Sequence, residues 1–329
     1  MFADLRATDV IAAADRIRPY IKRTPLVRSD RLSERAGADV YLKLENQQTT
    51  GSFKLRGALN VLATLTPEQR RGGVVASSAG NHGLGVAYAA KHFGVPATIF
   101  VPTNAPQVKR DGISALGATL DTSQPHYDAA MDAAKAFARE RGATFINPCL
   151  GEMLLAGQGT VALEILGELP DLATLVLNVG GGGLLGGCAS LVRAVAPSVR
   201  IVGAQSEHTA AMSKSLAAGH LVEIENLPTL ADGLAGQIDD EALDIGRRGL
   251  DAMVTVSETE IADAIGWLWH AHGQRCEGAG ACATAAVLTG RVWSLAAPIA
   301  IVVSGGNIDA AKHESLLNPG PRGSGSGNR

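Results

Sequence analysis

The stretch LATLVLNVGGGGLLGGCASLVRAVAPSVRIVGAQ, residues 172–205, sets an apolar run, a glycine-rich turn, a helix-length segment and a second apolar run in succession. This order predicts a strand, a loop, a helix and a strand. A second copy spans residues 72–102, and a further helix-then-strand pair lies within residues 282–307. Because strands joined through helices run parallel, the units predict an α/β fold of two open α/β domains with mainly parallel twisted sheets.

Composition and charge exclude several classes of protein. The chain has 329 residues, of which 46% are hydrophobic and 19% charged, as in a globular protein with a large core. That length suits about two domains. The net charge of −3 is unlike that of nucleic-acid-binding proteins or basic membrane-surface helices. We therefore expect a small-molecule substrate, with neither nucleic acid nor membrane as a partner.

The termini and cysteines indicate a cellular compartment. The N-terminal segment lacks the apolar core of a secretory signal, and no apolar run reaches the roughly 18 residues of a spanning helix. We therefore predict a soluble cytoplasmic protein. The spacing of the four cysteines is not that of a disulfide framework; they are Cys149, Cys188, Cys276 and Cys282. In a reducing compartment we expect them to form no disulfide.

The loop VGGGGLLGG, residues 179–187, follows a predicted strand and opens a predicted helix. Unpaired amides and the positive end of the helix dipole attract anions at such a point, and consecutive glycines let the backbone wrap a phosphate. The sequence also fits the dinucleotide-binding motif GxGxxG through Gly181, Gly183 and Gly186. Glu207 lies roughly where the ribose-binding acid of that motif would be expected. A nicotinamide oxidoreductase is therefore an alternative function for the chain.

The stretch TGSFKLRGA, residues 50–58, places Lys54 in the first turn of a predicted helix. A helix N-terminus disfavours a nearby cation. Lys54 is therefore either a tolerated surface residue or a lysine whose amine is meant to lose its proton.

Two further loops end predicted strands. SSAGNHG, residues 77–83, could hold a carboxylate on its backbone amides, and Asn81 could bond to a ring oxygen. SGGN, residues 304–307, ends the last strand in the same way. Because these loops, Lys54 and the glycine loop all lie at the ends of predicted strands or starts of predicted helices, we expect them to converge on a single ligand site.

Metal binding is not predicted. In HAHGQRC, residues 270–276, His270 and His272 are two residues apart and lie on different sides of a helix. Only His272 and Cys276 have the spacing of residues on one helix face. A zinc site would need further ligands. We interpret this stretch as a helix-end cluster.

Seven motifs, in the order in which they occur, resemble those of the fold-type II pyridoxal-phosphate enzymes, which have a tryptophan synthase beta-like fold. Within these enzymes the resemblance is to the threonine/serine dehydratase and serine racemase group. The resemblance covers the chain from about Thr8 to Leu317. The motifs are KRTPL, YLKLENQQTTGSFKLRGA, SSAGNHG, LLAGQGTVALEI, VGGGGLLGG, EGAGA and SGGN. A nicotinamide enzyme gives no reason for Lys54 or Ser304, so it becomes a distant second hypothesis, and a ligand-binding protein without catalysis is the third.

The resemblance implies a role for each predicted cofactor-binding residue. Lys54 would form the Schiff base with pyridoxal 5'-phosphate and act as the catalytic residue, and Phe53 would lie against the cofactor. Asn81 would meet the ring hydroxyl and Ser304 the ring nitrogen. The phosphate would lie on the backbone amides of Gly180, Gly181, Gly182, Gly183 and Leu184. The predicted substrate-binding residues are Ser77, Ser78, Ala79, Gly80, Asn81 and His82, and no residue is assigned to a metal.

The implied activity is elimination of water from a β-hydroxy-α-amino acid such as L-threonine or L-serine, giving a 2-oxo acid and ammonia. Lys54 would remove the α-proton. The alternatives are a bulkier substrate such as phenylserine or 3-hydroxyaspartate, or serine racemisation. In serine racemases the opposite-face acid/base is a serine directly before the Gly-Asn-His of this loop, where this chain has Ala79.

Two stretches depart from the family pattern. Dehydratases of the group commonly carry an aromatic-acidic pair before AGQGT, where this chain has Cys149 and Leu150, so the pocket for the β-substituent is expected to differ. Relatives with a divalent-cation site place carboxylates where this chain has Gln205 and Ala211. This argues against that metal site, although Glu207 lies close by.

The resemblance also implies a domain organisation. We expect a large domain from residues 1–72 and 150–318, a smaller mobile domain at 73–149 that closes over substrate, and a flexible tail at 319–329. We further expect a homodimer and, for want of a regulatory domain, no feedback by an end product.

Overall fold

Ten strands form two separate sheets in this computed structural model, which describes residues 5–103, 105, 107–225, 227–292 and 295–317. The strands are β1 (Leu26–Arg28), β2 (Val40–Lys43), β3 (Val74–Ser77), β4 (Ala97–Pro102), β5 (Thr119–Gln124), β6 (Thr144–Phe145), β7 (Thr174–Asn178), β8 (Arg200–Ser206), β9 (Ala252–Val256) and β10 (Ile299–Val302). The six-stranded sheet has the order β1-β2-β10-β7-β8-β9, and the four-stranded sheet has the order β5-β4-β3-β6.

Helices connect the strands and cover the sheets. They are α1 (Ala7–Ile17), α2 (Asp30–Ala36), α3 (Lys54–Ala63), α4 (Pro67–Gly72), α5 (Asn81–Phe93), α6 (Gln107–Ser114), α7 (Tyr127–Arg141), α8 (Glu152–Glu168), α9 (Gly183–Val195), α10 (Ala211–Ala218), α11 (Asp240–Gly249), α12 (Glu258–His272), α13 (Gly278–Leu288) and α14 (Ala310–Leu317). Short 3-10 turns lie at Arg18–Tyr20, Glu45–Gln47, Glu207–Thr209 and Asp232–Leu234.

Within the described residues, every strand pairing is parallel except that of β1 with β2. The predicted units appear as β3–α5–β4 and β7–α9–β8, and α13 followed by β10 is the predicted last pair. All residues of β3, β7 and β10 are buried. Continuous apolar strands of this kind arise because helices cover both faces of a parallel sheet. The α/β fold prediction is confirmed.

Residue choices at helix starts explain several boundaries. Thr66 and Gln69 form a capping box at the start of α4, with Pro67 as the first helical residue. Ser257 and Glu260 form another at the start of α12. These side chains satisfy amides that have no partner inside the helix.

Close backbone contacts set the helix that carries Lys54 against α8, and α8 against α9. A Cβ on Gly157 would lie 2.6 Å from the Arg56 carbonyl oxygen, and one on Gly187 would lie 2.3 Å from the Leu155 carbonyl oxygen. Only glycine permits such approach. The start of α3 is thereby fixed relative to the start of α9, where the glycine loop ends.

A buried ionic network lies under the first turn of α3. Arg56 is wholly buried, with its Nη2 2.8 Å from Glu45 Oε1 and its Nη1 2.8 Å from Glu164 Oε1. Lys43 Nζ donates to Glu164 Oε2 at 2.6 Å, and the Thr24 hydroxyl donates to Glu45. Burial acts to lower the pKa of Arg56, but the two carboxylates outweigh it and raise that pKa. The network joins KRTPL, YLKLE and FKLRGA into one structure.

Three remaining features bear on the sequence predictions. Lys54 is the first residue of α3, which confirms its predicted place in the first helical turn. No helix in the described part of the chain combines the length and apolarity needed to cross a bilayer. The predicted tail at 319–329 lies outside the described residues.

Candidate active site

Lys54 lies between the last strand and the segment that follows β6. The Phe53 amide donates to the Ser304 carbonyl at 3.1 Å, which anchors the start of α3 to the SGGN loop. The half-buried Lys54 side chain extends from there, and its Nζ donates to the Pro148 carbonyl at 2.6 Å. Cys149 Sγ lies 3.9 Å from the same nitrogen, and the centroid of the Phe53 ring lies 5.3 Å away.

The glycine loop between β7 and α9 leaves little space for a side chain at Gly180, Gly181 and Gly183. A Cβ on Gly181 would lie 2.7 Å from Cys149 Sγ, and one on Gly183 would lie 3.0 Å from the Cys149 carbonyl oxygen. Gly182 has φ +87°, a conformation that favours glycine. The loop therefore presents bare backbone at the N-terminus of a 13-residue helix, an arrangement that binds anions. Cys149 contacts both this loop and Lys54, so the two predicted elements meet.

The SSAGNHG loop places Asn81 at the first position of α5. Asn81 Nδ2 donates to Glu277 Oε1 at 2.5 Å, and Asn81 Oδ1 accepts from Asn307 Nδ2 at 2.6 Å. Asn307 also donates to the Thr50 carbonyl at 2.8 Å. This chain of amides connects the SSAGNHG loop to the SGGN loop and to the segment before Lys54.

His82 is buried and neutral. Burial, together with the nearby positive charge of Lys54, lowers the pKa of His82 to about 3. Because a carbonyl only accepts, His82 Nε2 must carry the proton that it donates to the Ile146 carbonyl at 3.0 Å. Its Nδ1 then holds a lone pair, and this atom has no hydrogen-bond partner within the described residues.

Ser304 follows β10 and is 4% exposed. Its hydroxyl oxygen accepts from Asn178 Nδ2 at 3.1 Å, and the hydroxyl donates to the Ala279 carbonyl at 3.5 Å. Asn178 is itself the last residue of β7 and is held by the Val302 carbonyl at 2.8 Å. A neutral hydroxyl is therefore fixed at the carboxyl edge of the large sheet.

Comparison with known proteins identifies the family. The family model described as pyridoxal-phosphate dependent enzyme matches residues 17–305. The chain belongs to this family. An L-threonine ammonia-lyase of Thermotoga maritima is 42% identical over 313 residues, which are 95% of this chain and 78% of that protein.

Solved structures show the same similarity in three dimensions. Maize serine racemase superposes with a TM-score of 0.90 at 33% identity, covering 95% of this chain and 96% of its own. Threonine deaminase isoform 2 from Solanum lycopersicum superposes with a TM-score of 0.88 at 32% identity, covering 94% and 91%. The predicted family, fold and cofactor are confirmed, and the nicotinamide hypothesis is not supported.

The site of this pyridoxal-phosphate-dependent enzyme fits its cofactor on structural grounds. The glycine loop lies at the N-terminus of α9, where the first amides have no partner inside the helix, and Cys149 contacts both this loop and Lys54. Four buried polar atoms of the surrounding loops have no hydrogen-bond partner within the described residues: Thr50 Oγ1, Ser52 Oγ, Ser77 Oγ and His82 Nδ1. Buried polar groups are seldom left unpaired, so these atoms are consistent with a polar ligand.

Several residues of the site were missing from the sequence prediction. Glu277 and Asn178 contact Asn81 and Ser304, and Asn147 caps the turn beside Lys54. Glu277 begins the EGAGA motif and Asn178 ends a predicted strand, but neither position reveals its partner. Of these residues, Asn147 had the strongest signal, because Asn-Pro is a typical turn dipeptide.

The loop after β8 gives no support for a metal site. Gln205 Oε1 accepts from the Ser213 amide at 3.3 Å, and Ala211 is the first residue of α10. Glu207 lies in the 3-10 turn that follows β8. Over the described residues, no group of three or more His, Cys, Asp or Glu side chains could hold a metal ion.

Proposed function

We propose that the chain is a pyridoxal-phosphate-dependent ammonia-lyase that eliminates water from a β-hydroxy-α-amino acid, with L-threonine or L-serine as the default substrate. The unsaturated amine that is released then takes up water, which gives a 2-oxo acid and ammonia. The observation that supports the proposal most strongly is that Cys149 contacts both Lys54 and the bare glycine loop. The 42% identical relative named L-threonine ammonia-lyase supports the choice of reaction.

The residues that would hold the cofactor are those of the sequence prediction. Lys54 would bind it covalently, the Gly180–Leu184 amides would take the phosphate, and Phe53 would lie against it. Asn81 would meet the ring hydroxyl and Ser304 the ring nitrogen. Bound there, the cofactor supplies the electron sink that makes removal of the α-proton feasible.

Lys54 is the residue that moves the proton. Its Nζ is half-buried and close to the carbonyl of Pro148, and a neutral amine at this point can take the α-proton of a bound amino acid. Ser304 is a neutral hydroxyl held by Asn178. Unlike a carboxylate, it cannot hold a proton on a ring nitrogen, which suits elimination better than reactions that need a stronger electron sink.

The substrate carboxylate would bind to the loop formed by Ser77, Ser78, Ala79, Gly80, Asn81 and His82. The loop lies at the N-terminus of α5, a 13-residue helix, where backbone amides and the helix dipole favour an anion. Ser78 Oγ accepts from the Gly80 amide at 3.1 Å, which shapes the turn. His82 is neutral, so it adds no charge, and the amides carry the interaction.

Ala79 favours elimination over racemisation. A racemase needs an acid/base group on the face opposite Lys54, and alanine has no proton to give. The similarity to maize serine racemase is therefore similarity of fold and cofactor chemistry, and the serine racemase alternative is disfavoured at this position.

The small domain at residues 73–149 is proposed to close over the substrate. Its four strands make their own sheet, and residues 44–73 and 146–173 connect that sheet with the large one. Closure would exclude water from the site. The homodimer and the cytoplasmic location stay predictions, and light scattering of the purified protein tests the first.

One experiment tests the proposal directly. The purified protein should show a visible absorbance band that borohydride shifts, with the reduced cofactor fixed to Lys54 by peptide mapping. Activity is scored as 2-oxo acid formation from L-threonine, L-serine, phenylserine and 3-hydroxyaspartate. A protein that stays colourless after incubation with pyridoxal phosphate, with unmodified Lys54, would refute the proposal.

A further inference from the structure

The segment of residues 146–151, here called the crossover segment, leads from β6 to α8 and contacts three ligand-binding elements. Its Ile146 carbonyl accepts from His82 Nε2 at 3.0 Å. Its Pro148 carbonyl accepts from Lys54 Nζ at 2.6 Å. Cys149 fills the space that a Cβ on Gly181 would need. The conformation of this segment therefore bears on Lys54 and on the glycine loop together.

Asn147 folds the crossover segment through its side chain. Asn147 Oδ1 accepts from the Cys149 amide at 2.8 Å and from the Leu150 amide at 2.9 Å. Such side-chain turns are typical of asparagine. The Cys149 N–H and the Pro148 C=O belong to one planar trans peptide, in which the two bonds point in opposite directions. By holding the N–H on one side, Asn147 directs the carbonyl to the other side, where Lys54 lies.

We propose that Asn147 is a positioning residue that aims the Pro148 carbonyl at Lys54 and so orients the lysine amine. The inference rests on the proposed function, in which Lys54 is the reacting amine. A neutral amine has two N–H bonds and one lone pair. Donating one N–H to a fixed carbonyl restricts rotation about the Cε–Nζ bond and directs the lone pair away from Pro148.

The same carbonyl serves the step in which Lys54 takes a proton. Positive charge then develops on Nζ, 2.6 Å from an oxygen whose dipole is already oriented toward it. A preorganised dipole needs no rearrangement as the charge forms. The Cys149 thiol at 3.9 Å is too distant and too weak an acceptor to replace it.

The test uses four variants of the full chain, each reconstituted with pyridoxal phosphate. Asn147→Asp keeps an acceptor oxygen at the same distance from the backbone, Asn147→Ser offers a shorter and weaker one, and Asn147→Ala removes it. Glu152→Ala, at the exposed first position of α8, is the matched control. Cofactor content, borohydride fixation to Lys54, visible circular dichroism per bound cofactor, kcat and KM for L-threonine are measured for each.

We expect Asn147→Ala to bind and fix the cofactor but to lose about 10- to 100-fold in kcat, with KM nearly unchanged, because misorientation of a reacting group affects the reaction more than binding. Its visible circular dichroism should change, since that signal reports how the cofactor is held. Asn147→Asp should recover kcat and the dichroism, Asn147→Ser should lie between, and Glu152→Ala should match the wild type.

Wild-type kcat and dichroism in Asn147→Ala would overturn the inference, as would equal losses in Asn147→Ala and Asn147→Asp. A loss of kcat that only follows a loss of cofactor content would also overturn it. If Asn147→Ala does not fold, the other two variants decide the question. The inference then requires that kcat be higher in Asn147→Asp than in Asn147→Ser. A wild-type protein without a borohydride-sensitive band would instead refute the proposed function, so the two failures are distinguishable.

Discussion

Glu277 Oε1 lies 2.5 Å from Asn81 Nδ2, and this contact joins residues 196 positions apart in the chain. Glu277 precedes α13 beside the large sheet, and Asn81 begins α5 beside the small one. A hydrogen bond to a buried carboxylate is stronger than one between neutral groups. Glu277 therefore fixes the Asn81 amide, which is the group proposed to meet the cofactor ring.

Replacing Glu277 by Ala should weaken cofactor binding by about tenfold or more, because a hydrogen bond to a charged group contributes about 1.5–3 kcal/mol. Glu277→Gln keeps an acceptor oxygen and should lose less. Titration of cofactor-free protein with pyridoxal phosphate, followed by visible absorbance, measures the effect. Glu140→Ala on the exposed face of α7 is the control. Equal affinity in Glu277→Ala and the wild type would contradict this role.

Lys54→Ala should abolish turnover and leave the fold intact. Alanine is well tolerated at the start of a helix, and Arg56, two residues on, keeps its buried partners. Activity with L-threonine and the far-ultraviolet circular dichroism spectrum are compared with those of Lys91→Ala, which changes an exposed lysine of α5. A near-wild-type rate in Lys54→Ala would remove this residue from the mechanism.

His82 should make the protein less stable in acid. Its pKa falls from 6.5 to about 3 in the folded state because burial and the Lys54 charge disfavour the proton. Between these two pH values the unfolded chain binds a proton that the folded chain does not. The free energy of unfolding therefore decreases as pH falls, by about 1.4 kcal/mol per pH unit from this group.

His82→Gln tests that contribution, since glutamine can donate to the Ile146 carbonyl but does not titrate. Urea unfolding at pH 6.5, 5.5 and 4.5 should show a shallower loss of stability for His82→Gln than for the wild type. His220→Gln, at an exposed histidine after α10, should retain the wild-type slope. Identical slopes for all three proteins would show that His82 does not control this range.

Local motifs were sufficient to predict the fold class and to indicate candidate site residues. Lys54, the glycine loop and Asn81 each lie at the junction of a strand or loop with a helix, and residues close in sequence define such junctions. The partners of these residues could not be predicted in the same way. Asn178 meets Ser304 across 126 positions, and Pro148 meets Lys54 across 94. The first contact depends on β7 and β10 being neighbours in the large sheet, and the second depends on how the segment after β6 lies against α3. No local pattern encodes either arrangement.

Activity should be insensitive to chelators. Gln205 is a neutral residue whose oxygen is already bonded to the Ser213 amide, and Ala211 offers no ligand. A divalent cation prefers carboxylate oxygens. The rate of 2-oxo acid formation is therefore expected to be the same before and after treatment with EDTA. Inhibition by the chelator, reversed by magnesium or calcium, would show that this interpretation of the loop is wrong.

The last prediction separates elimination from racemisation. Ala79 stands directly before Gly80, Asn81 and His82, where an acid/base group opposite Lys54 would have to lie. Ser77 and Ser78 are its neighbours, but Ser77 is wholly buried at the end of β3 and Ser78 Oγ is engaged with the Gly80 amide. Both side chains are displaced from position 79 by one or two residues, which directs them elsewhere in a tight loop, and geometry must be met before pKa matters.

A substrate deprotonated by Lys54 can then be reprotonated only from the side it left, or lose its β-hydroxyl. We expect pyruvate and ammonia from L-serine, with little or no D-serine, and a small gain of D-serine in Ala79→Ser because a hydroxyl then occupies that position. Chiral chromatography of timed samples measures both products, and Ala79→Gly, which adds no hydroxyl, is the control. Abundant D-serine from the unmodified protein would mean that another residue serves the opposite face and that racemisation is an activity of this chain.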